Sequence, residues 1–318
     1  MKENLLKMIL AVAALAMALE TTWAHGFAGK RFFPATLTTD DPFVADEMSL
    51  PTFSTIVVPE DGGTRETEFS VHIAKTITPW LGVEIGTGLV NIDPAGEKPQ
   101  TGLGNLELGA KFQFLKNAEH ETIMSVGFDA EIGGTGTTRA GAVSFSTWTP
   151  TLFFGKGMGD LPDLLSFLKP IAITGTLGFA IPSRAYNKSL EINEETSEGE
   201  LEVEANPDAF QFGFAVEYSL IYLQQNVHDL GLPAPFDRLV PLVEFAFELP
   251  LDRGQNGLVT GTINPGILWS GKSFQIGVEA IIPMNGRTGN NVGVIAQVHF
   301  YLDDLLPSIF RPIFGGSD

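Results

Sequence analysis

Hydrophobic and polar residues alternate along this chain with a period of two. In "FQFGFAVEYSLIYL" (210–223), Phe210, Phe212, Phe214, Val216, Tyr218, Leu220 and Tyr222 alternate with Gln211, Gly213, Ala215, Glu217 and Ser219. Successive side chains of a strand point to opposite faces, so this segment has one apolar face and one polar or small face. "NLELGAKFQF" (105–114), "TIMSVGFDAEI" (122–132), "LVPLVEFAFEL" (239–249) and "VGVIAQVHFYL" (292–302) repeat the pattern. Candidate strands cover 51–59, 66–78, 80–92, 104–115, 121–133, 144–155, 169–182, 209–223, 238–251, 257–269, 273–283 and 291–302, which makes twelve. Segments 144–155 and 257–269 carry apolar residues on both faces.

The connections alternate in length. Short ones fall at 78–79, 116–121 and 270–272, and two longer ones at 156–168 and 224–237 belong to the same side. The other side takes 59–66, 93–103, 134–143, 183–208, 252–256 and 284–290, including the long acidic stretch. Asn256-Gly257 and Asn285-Gly286 are hairpin-turn dipeptides. "DLPDLLSFLK" (160–169) predicts one short helix with Asp160 as its N-cap and Leu161, Leu164, Leu165 and Leu168 on one face. Helices and strands do not alternate, which disfavours α/β folds.

Two architectures accept such strands. A soluble sandwich buries the apolar face and usually has strands of about five or six residues. A transmembrane barrel turns that face to lipid and needs about 9–11 residues per tilted strand. Many of the strands here run longer than a sandwich requires, and their second face is rich in Gly, Ser, Glu, Gln and Lys. The expected fold is therefore all-β: a transmembrane antiparallel up-and-down barrel of about twelve strands. An exported soluble β-protein is the rival.

The N-terminus sets the compartment. Lys2 and Lys7 accompany a short apolar run, "MILAVAALAMAL" (8–19), and Thr22-Trp23-Ala24 supplies small residues for cleavage after Ala24. The run is too short to span a bilayer as a helix and reads as a cleaved signal peptide. The expected organisation is a signal peptide over 1–24, an irregular segment over 25–50, a barrel over 51–302 and a tail over 303–318. The expected location is the outer membrane of a Gram-negative bacterium. The chain has no cysteine, so a lipoprotein-type anchor has no attachment site.

Charge narrows the partners. The 318 residues carry a formal net charge of -19, with 38 acidic against 19 basic residues. Such a surface repels nucleic acid. Outer-membrane lipid and a small solute are the expected partners, with the oligomeric state open.

Five stretches, "TLTTDDPFVADEMSLPTF" (36–53), "TGLGNLELGAKFQF" (101–114), "GFDAEIGGTG" (127–136), "GKGMGDLP" (155–162) and "KPIAITGTLGFAIP" (169–182), carry a resemblance. The chain resembles an outer-membrane transporter family named for the meta-pathway of phenol degradation. The resemblance implies an outer-membrane barrel that passes small solutes, hydrophobic or aromatic ones among them. It assigns no functional residues. One departure stands out: barrels of this kind commonly end in an aromatic residue of the last strand, whereas here Phe300 is followed by "YLDDLLPSIFRPIFGGSD".

In a barrel the inward face carries Glu68, His72, Glu84, Glu107, Lys111, Gln113, Asp129, Glu131, Glu217, Glu244, Glu248, Gln275, Glu279, Gln297 and His299. Excess carboxylates in a low-dielectric wall concentrate cations, so these residues predict a cation-favouring conduit. The alternative is a structural lumen whose acids stay hydrated or pair with loop arginines. His72 and His299 fall on strands two and twelve, and no spacing resembles a metal site. There is no G-x-S-x-G motif, and "GGTGTTRAG" (133–141) and "GKGMGDLP" lack the phosphate-loop pattern. No cofactor and no enzymatic activity are expected. A structural or adhesive exported protein binding through 182–208 is the alternative function, and an outer-membrane hydrolase the third.

Segment 25–50 is too rich in aromatic residues for a free tail: Phe27, Phe32, Phe33 and Phe43, stiffened by Pro34 and Pro42. Part of 31–50 is expected to enter the periplasmic mouth as a plug, with Phe32, Phe33 and Phe43 buried. Asp40, Asp41, Asp46 and Glu47 are expected to meet lumenal Lys or Arg. The alternative is a segment packed beneath the barrel that assists assembly. Trp269 and Tyr222 are expected to point outward at the periplasmic rim, where Trp80 starts a strand and amphipathic rings favour the headgroup level.

Overall fold

The computed structural model describes residues 26–59, 63–192 and 199–315. The signal-peptide reading, 1–24, lies outside these residues. Twelve long strands follow one another: β1 Glu47–Val58, β2 Thr64–Thr78, β3 Leu81–Asp93, β4 Leu106–Asn117, β5 Thr122–Ile132, β6 Thr147–Gly157, β7 Ile171–Pro182, β8 Ala209–Tyr218, β9 Leu239–Pro250, β10 Thr260–Ser270, β11 Phe274–Pro283 and β12 Gly293–Tyr301. Each pairs antiparallel with its sequence neighbours, and β12 pairs with β1, so the sheet closes without a free edge. A short strand, Gln100–Leu103, adds to the far half of β3, and Tyr186–Ile192 pairs with Gly199–Ala205 as a separate hairpin beyond the β7 end.

Each strand predicted from alternation forms, and the departures occur at strand ends. β1 starts at Glu47 because the register slips between Ser49 and Thr52, which absorbs Pro51 into an irregularity. β8 stops at Tyr218: the Ser219 hydroxyl accepts the Tyr222 backbone N–H at 3.1 Å and opens a helical turn, Leu220–Tyr222. Tyr222 is thereby folded inward and buried, not displayed on the rim. The helix expected at 160–169 is a 3-10 segment, Asp163–Leu168, behind Pro162. Asp160 does not cap it but pairs with Lys156 at 2.7 Å, and Leu164 stands exposed. The tail forms only a short helix, Leu302–Leu305, and then runs back along β2, where Ile313 and Phe314 donate to the carbonyls of Thr76 and Ile77 at 3.3 and 2.8 Å.

The two faces of the wall differ as the alternation predicts. Phe69, Ile85, Phe112, Phe128, Phe179 and Val278 are exposed on the outside. A ladder of rings crosses the outer surface: Phe179–Phe210, Phe212–Phe247 and Phe214–Phe245 have centroids 5.0, 4.9 and 4.6 Å apart. Such cross-strand aromatic pairs stabilise neighbouring strands. No helix among the described residues is long and apolar enough to cross a membrane, and this says nothing of the strands.

Candidate functional site: the lumen and its plug

Residues 31–46 fill part of the barrel interior as a loop that rises from the short-turn end and returns. Its ascending foot is Arg31, fully buried, whose Nε lies 3.1 Å from Glu121 Oε2. The same guanidinium donates to the carbonyls of Pro170 and Lys169 and lies 3.7 Å above the Tyr222 ring. Tyr222 donates to the other Glu121 oxygen at 2.8 Å. Burial first, and then that hydrogen bond, push the Tyr222 phenol up to about 12. The descending foot is Asp46, buried, which takes the Lys75 ammonium at 2.7 Å and the backbone and hydroxyl of Thr76.

Between the feet the loop reaches mid-barrel. Phe33 and Phe43 pack with Ala28, Ile123 and Ala172, and Leu37 packs on Val240, Leu242 and Leu268. Small residues on the inner wall make the room. A Cβ on Gly213 would lie 2.4 Å from Thr39 Cγ2, and one on Gly277 would lie 2.6 Å from Leu37 Cδ1. Polar contacts fix the tip. Glu244 of β9 accepts the backbone N–H of Leu37 at 2.7 Å, of Thr39 at 2.6 Å and of Thr38 at 3.2 Å, and the Thr39 hydroxyl at 2.6 Å. Three successive amides turned onto one carboxylate form a small anion nest. Asn264 of β10 donates to the Thr38 hydroxyl at 2.7 Å, and Gln275 of β11 donates to the Ala35 carbonyl.

The loop leans on β5–β11 and leaves the opposite side open. There a cavity of about 640 Å³ extends between residues 35–41 of the loop and the inner faces of β1–β8 and β12. Its carboxylates are Asp40, Asp41, Glu47, Glu68, Glu84, Glu107, Asp129 and Glu131. Serine and threonine hydroxyls supply most of the remaining polar surface, with His72, Gln211, Gln297 and His299. Below it, a much smaller space of about 20 Å³ is bounded by Phe43–Ala45, Glu84, Ala110, Lys111 and Asp129. Four residues, Glu47, Ala74, Glu84 and Asp129, line both spaces.

Of the inward-facing residues expected from the sequence, some line the cavity and others are engaged or covered within the lumen. Glu84, Glu107, Asp129, Glu131, Gln297 and His299 line the cavity. Lys111 points inward but is engaged by the loop, donating to Asp40 Oδ2 at 2.6 Å and to the Asp41 carbonyl at 2.8 Å. Glu248 is bound by Gln211 at 2.9 Å. Glu217, Glu244 and Glu279 also face inward, but they are buried and line neither space. They lie under the loop because the alternation that turned them inward says nothing about what fills the lumen.

Of the plug residues, Phe32, Phe33, Asp41, Phe43 and Asp46 are buried. Asp40 meets Lys111, and Asp46 meets Lys75. Glu47 is the first residue of β1 and meets His299 at 3.1 Å. The Asp41 carboxylate accepts the Phe43 backbone N–H at 2.8 Å. Burial, and after it the Glu47 charge, push the Asp41 carboxyl well above the usual carboxylate range.

Two relationships escaped the sequence. Arg31–Glu121 joins residues whose surroundings carry no signal. Ser49, His299 and Glu47 form a hydrogen-bonded chain, with Ser49 Oγ 3.3 Å from His299 Nδ1 and His299 Nε2 3.1 Å from Glu47 Oε2. β1 separates His72 from His299, each opposite Ser49 in the register. Among the described residues, no group of three or more His, Cys, Asp or Glu is placed to hold a metal ion.

No family model matches the chain, and no curated protein matches it. Solved structures do. An outer membrane channel from Pseudomonas putida F1 superposes with a TM-score of 0.55 at 8% identity, over 85% of this chain and 99% of that one. The barrel has the fold of an outer-membrane channel. The KdgM porin matches with a TM-score of 0.46 at 9% identity, over 80% of this chain and 98% of that chain. The β domain of the Bordetella autotransporter BrkA matches with a TM-score of 0.48 at 11% identity, over 80% and 98%. At such identities the likeness is one of fold, and the chemistry rests on this lumen.

Chemically, the open side of the lumen can bind or pass a polar solute. Its carboxylates favour positive charge, and its hydroxyls offer donors and acceptors to a neutral one.

Proposed function

We propose that this protein is an outer-membrane channel for small polar solutes, with a preference for cations, in which the 31–46 loop sets the width of the path. The observation that carries this reading is a cavity lined by eight carboxylates inside a closed wall whose exterior is apolar. A continuous apolar exterior on strands of nine or more residues suits a bilayer, since a closed barrel satisfies its backbone internally. The family resemblance implies hydrophobic or aromatic solutes; the carboxylate and hydroxyl lining favours polar ones instead. Conductance in planar bilayers tests the reading. Wild-type protein is expected to give small, cation-selective currents, and replacing residues 33–45 by a short flexible link is expected to raise them. Barrels that insert but conduct nothing, with the loop present or shortened, would remove the channel reading.

A second reading, an outer-membrane hydrolase, is favoured by one observation: the Ser49–His299–Glu47 chain borders the cavity. A serine beside a histidine oriented by a carboxylate has the relationship used by serine hydrolases. Labelling by a fluorophosphonate, lost in Ser49→Ala, would support it, and an unlabelled wild-type barrel would dismiss it.

A further inference from the structure

The tip of the lumenal loop rests on a buried acid pair. Glu244 and Glu279 are both almost inaccessible, at 0% and 1% exposure. They sit on β9 and β11 with β10 between them, where residues opposite them in register are Asn264 and Gly266. The missing side chain at 266 brings them together. A Cβ there would lie 2.3 Å from Glu279 Cγ, so Glu279 lies over the glycine, and its carboxyl and that of Glu244 converge on Thr38, whose backbone N–H lies 3.2 Å from Glu244 Oε1. Both Glu244 oxygens are accepting from the loop amides and the Thr39 hydroxyl. Glu279 Oε2 lies 3.5 Å from the Thr38 hydroxyl, while its Oε1 is buried with no donor opposite it.

Two buried carboxylates flanking one residue cannot both be charged without a compensating cation. Among the described residues, the charged and titratable groups around the pair supply none at contact distance. β8 contributes another acid, Glu217, bonded to Thr174 at 3.1 Å. β10 contributes the neutral Asn264, and β11 the neutral Gln275. The loop contributes Asp40, whose cation is Lys111, Asp41, whose carboxylate accepts the Phe43 backbone N–H, and at its foot Arg31, already engaged by Glu121.

We propose that Glu244 and Glu279 hold one proton between them, and that this proton keeps the loop tip seated in the lumen. It resides on Glu279, since Glu244 is already the acceptor of four hydrogen bonds. Its loss places a second negative charge against Glu244 in a dry site. That repulsion is relieved when residues 37–40 lift away and water enters, while Arg31–Glu121 and Asp46–Lys75 still hold the feet. The seated state binds one more proton than the lifted state, so lifting is favoured as pH rises. The inference deepens the channel reading by giving its plug a pH-dependent gate, but the seating itself can be measured without any current.

The test is amide hydrogen exchange of the folded, detergent-solubilised barrel at the N–H groups of Leu37, Thr38 and Thr39, read as protection relative to an unstructured peptide of the same sequence. In the wild type this protection is expected to fall with rising pH, at most about tenfold per pH unit, the limit for one proton. Glu279→Gln keeps a donor toward Glu244 without a titrating proton, and its protection is expected to stay level. Wild-type protection that does not change with pH, or an equal fall in Glu279→Gln, overturns the proposal; an equal fall would point to Asp41. If the variant does not fold, infrared spectroscopy of the wild type decides: a protonated-carboxyl band that disappears in step with the protection supports the pair, and no such band overturns it. Conductance at the same pH values separates the two readings. Protection that falls without current keeps the proton and removes the channel.

Discussion

Arg31 and Glu121 meet at 3.1 Å inside the short-turn end of the barrel, although 90 residues separate them in the chain. The contact ties the ascending foot of the loop to the β4–β5 turn, and Tyr222 closes over it from the turn that follows β8. Both side chains are almost wholly buried. Their energetics are therefore those of a dry ion pair: removing one partner leaves the other uncompensated.

Arg31→Met is accordingly expected to destabilise the folded barrel by about 3–5 kcal/mol. Thermal unfolding of the folded species, read as the loss of compact migration on a gel, measures it. The double variant Arg31→Met with Glu121→Gln should recover part of the loss, because no buried charge remains. A double variant no more stable than the single one would show that the pair's partners, not its charge balance, carry the effect.

The inner-wall glycines should matter through the plug. Gly213→Val places a side chain where Thr39 sits, with the Cβ only 2.4 Å from Thr39 Cγ2. Overpacking of this kind costs about 1–3 kcal/mol. Here the loop can yield, so the expected result is an assembled barrel with larger and noisier currents. Unchanged currents from assembled protein would mean that the loop does not limit the path.

Cation preference should follow the cavity and not the buried acids. Replacing Glu107 and Glu131 by Gln and Asp129 by Asn is expected to reduce cation selectivity in a reversal-potential measurement under a salt gradient. Glu217→Gln should leave that potential where it was, because Glu217 lines neither the cavity nor the space below it. Lys111→Gln should move it toward stronger cation selectivity by releasing Asp40.

The outer face should reject charge. Phe212 stacks on Phe247 on the exterior, so Phe212→Arg is expected to cost about 2–4 kcal/mol near mid-bilayer and to impair assembly. Gln211→Leu changes the other face, where Gln211 contacts Glu248, and should assemble. Denaturant unfolding from lipid vesicles compares the two. The reverse order would mean that the apolar face does not meet lipid.

The alternation of large apolar and small or polar residues determined the strand count, the antiparallel order and which side chains face in. A period of two needs no long-range information, and twelve such strands close most simply in sequence order. The aromatic and proline content of residues 27–43 likewise marked a segment that would be buried. Strand ends were less legible where a local contact intervened: Ser219 capping Leu220–Tyr222 folds Tyr222 inward, against the alternation. Tertiary structure alone decided what occupies the lumen. Gly213, Ala215 and Glu217 read as the wet side of a strand, yet the loop covers them and they are dry. The contacts responsible, Arg31 to Glu121 and Leu37–Thr39 to Glu244, join residues 90 to 207 positions apart. No periodicity encodes a meeting of that kind; it exists only once the closed wall fixes where each inward side chain points.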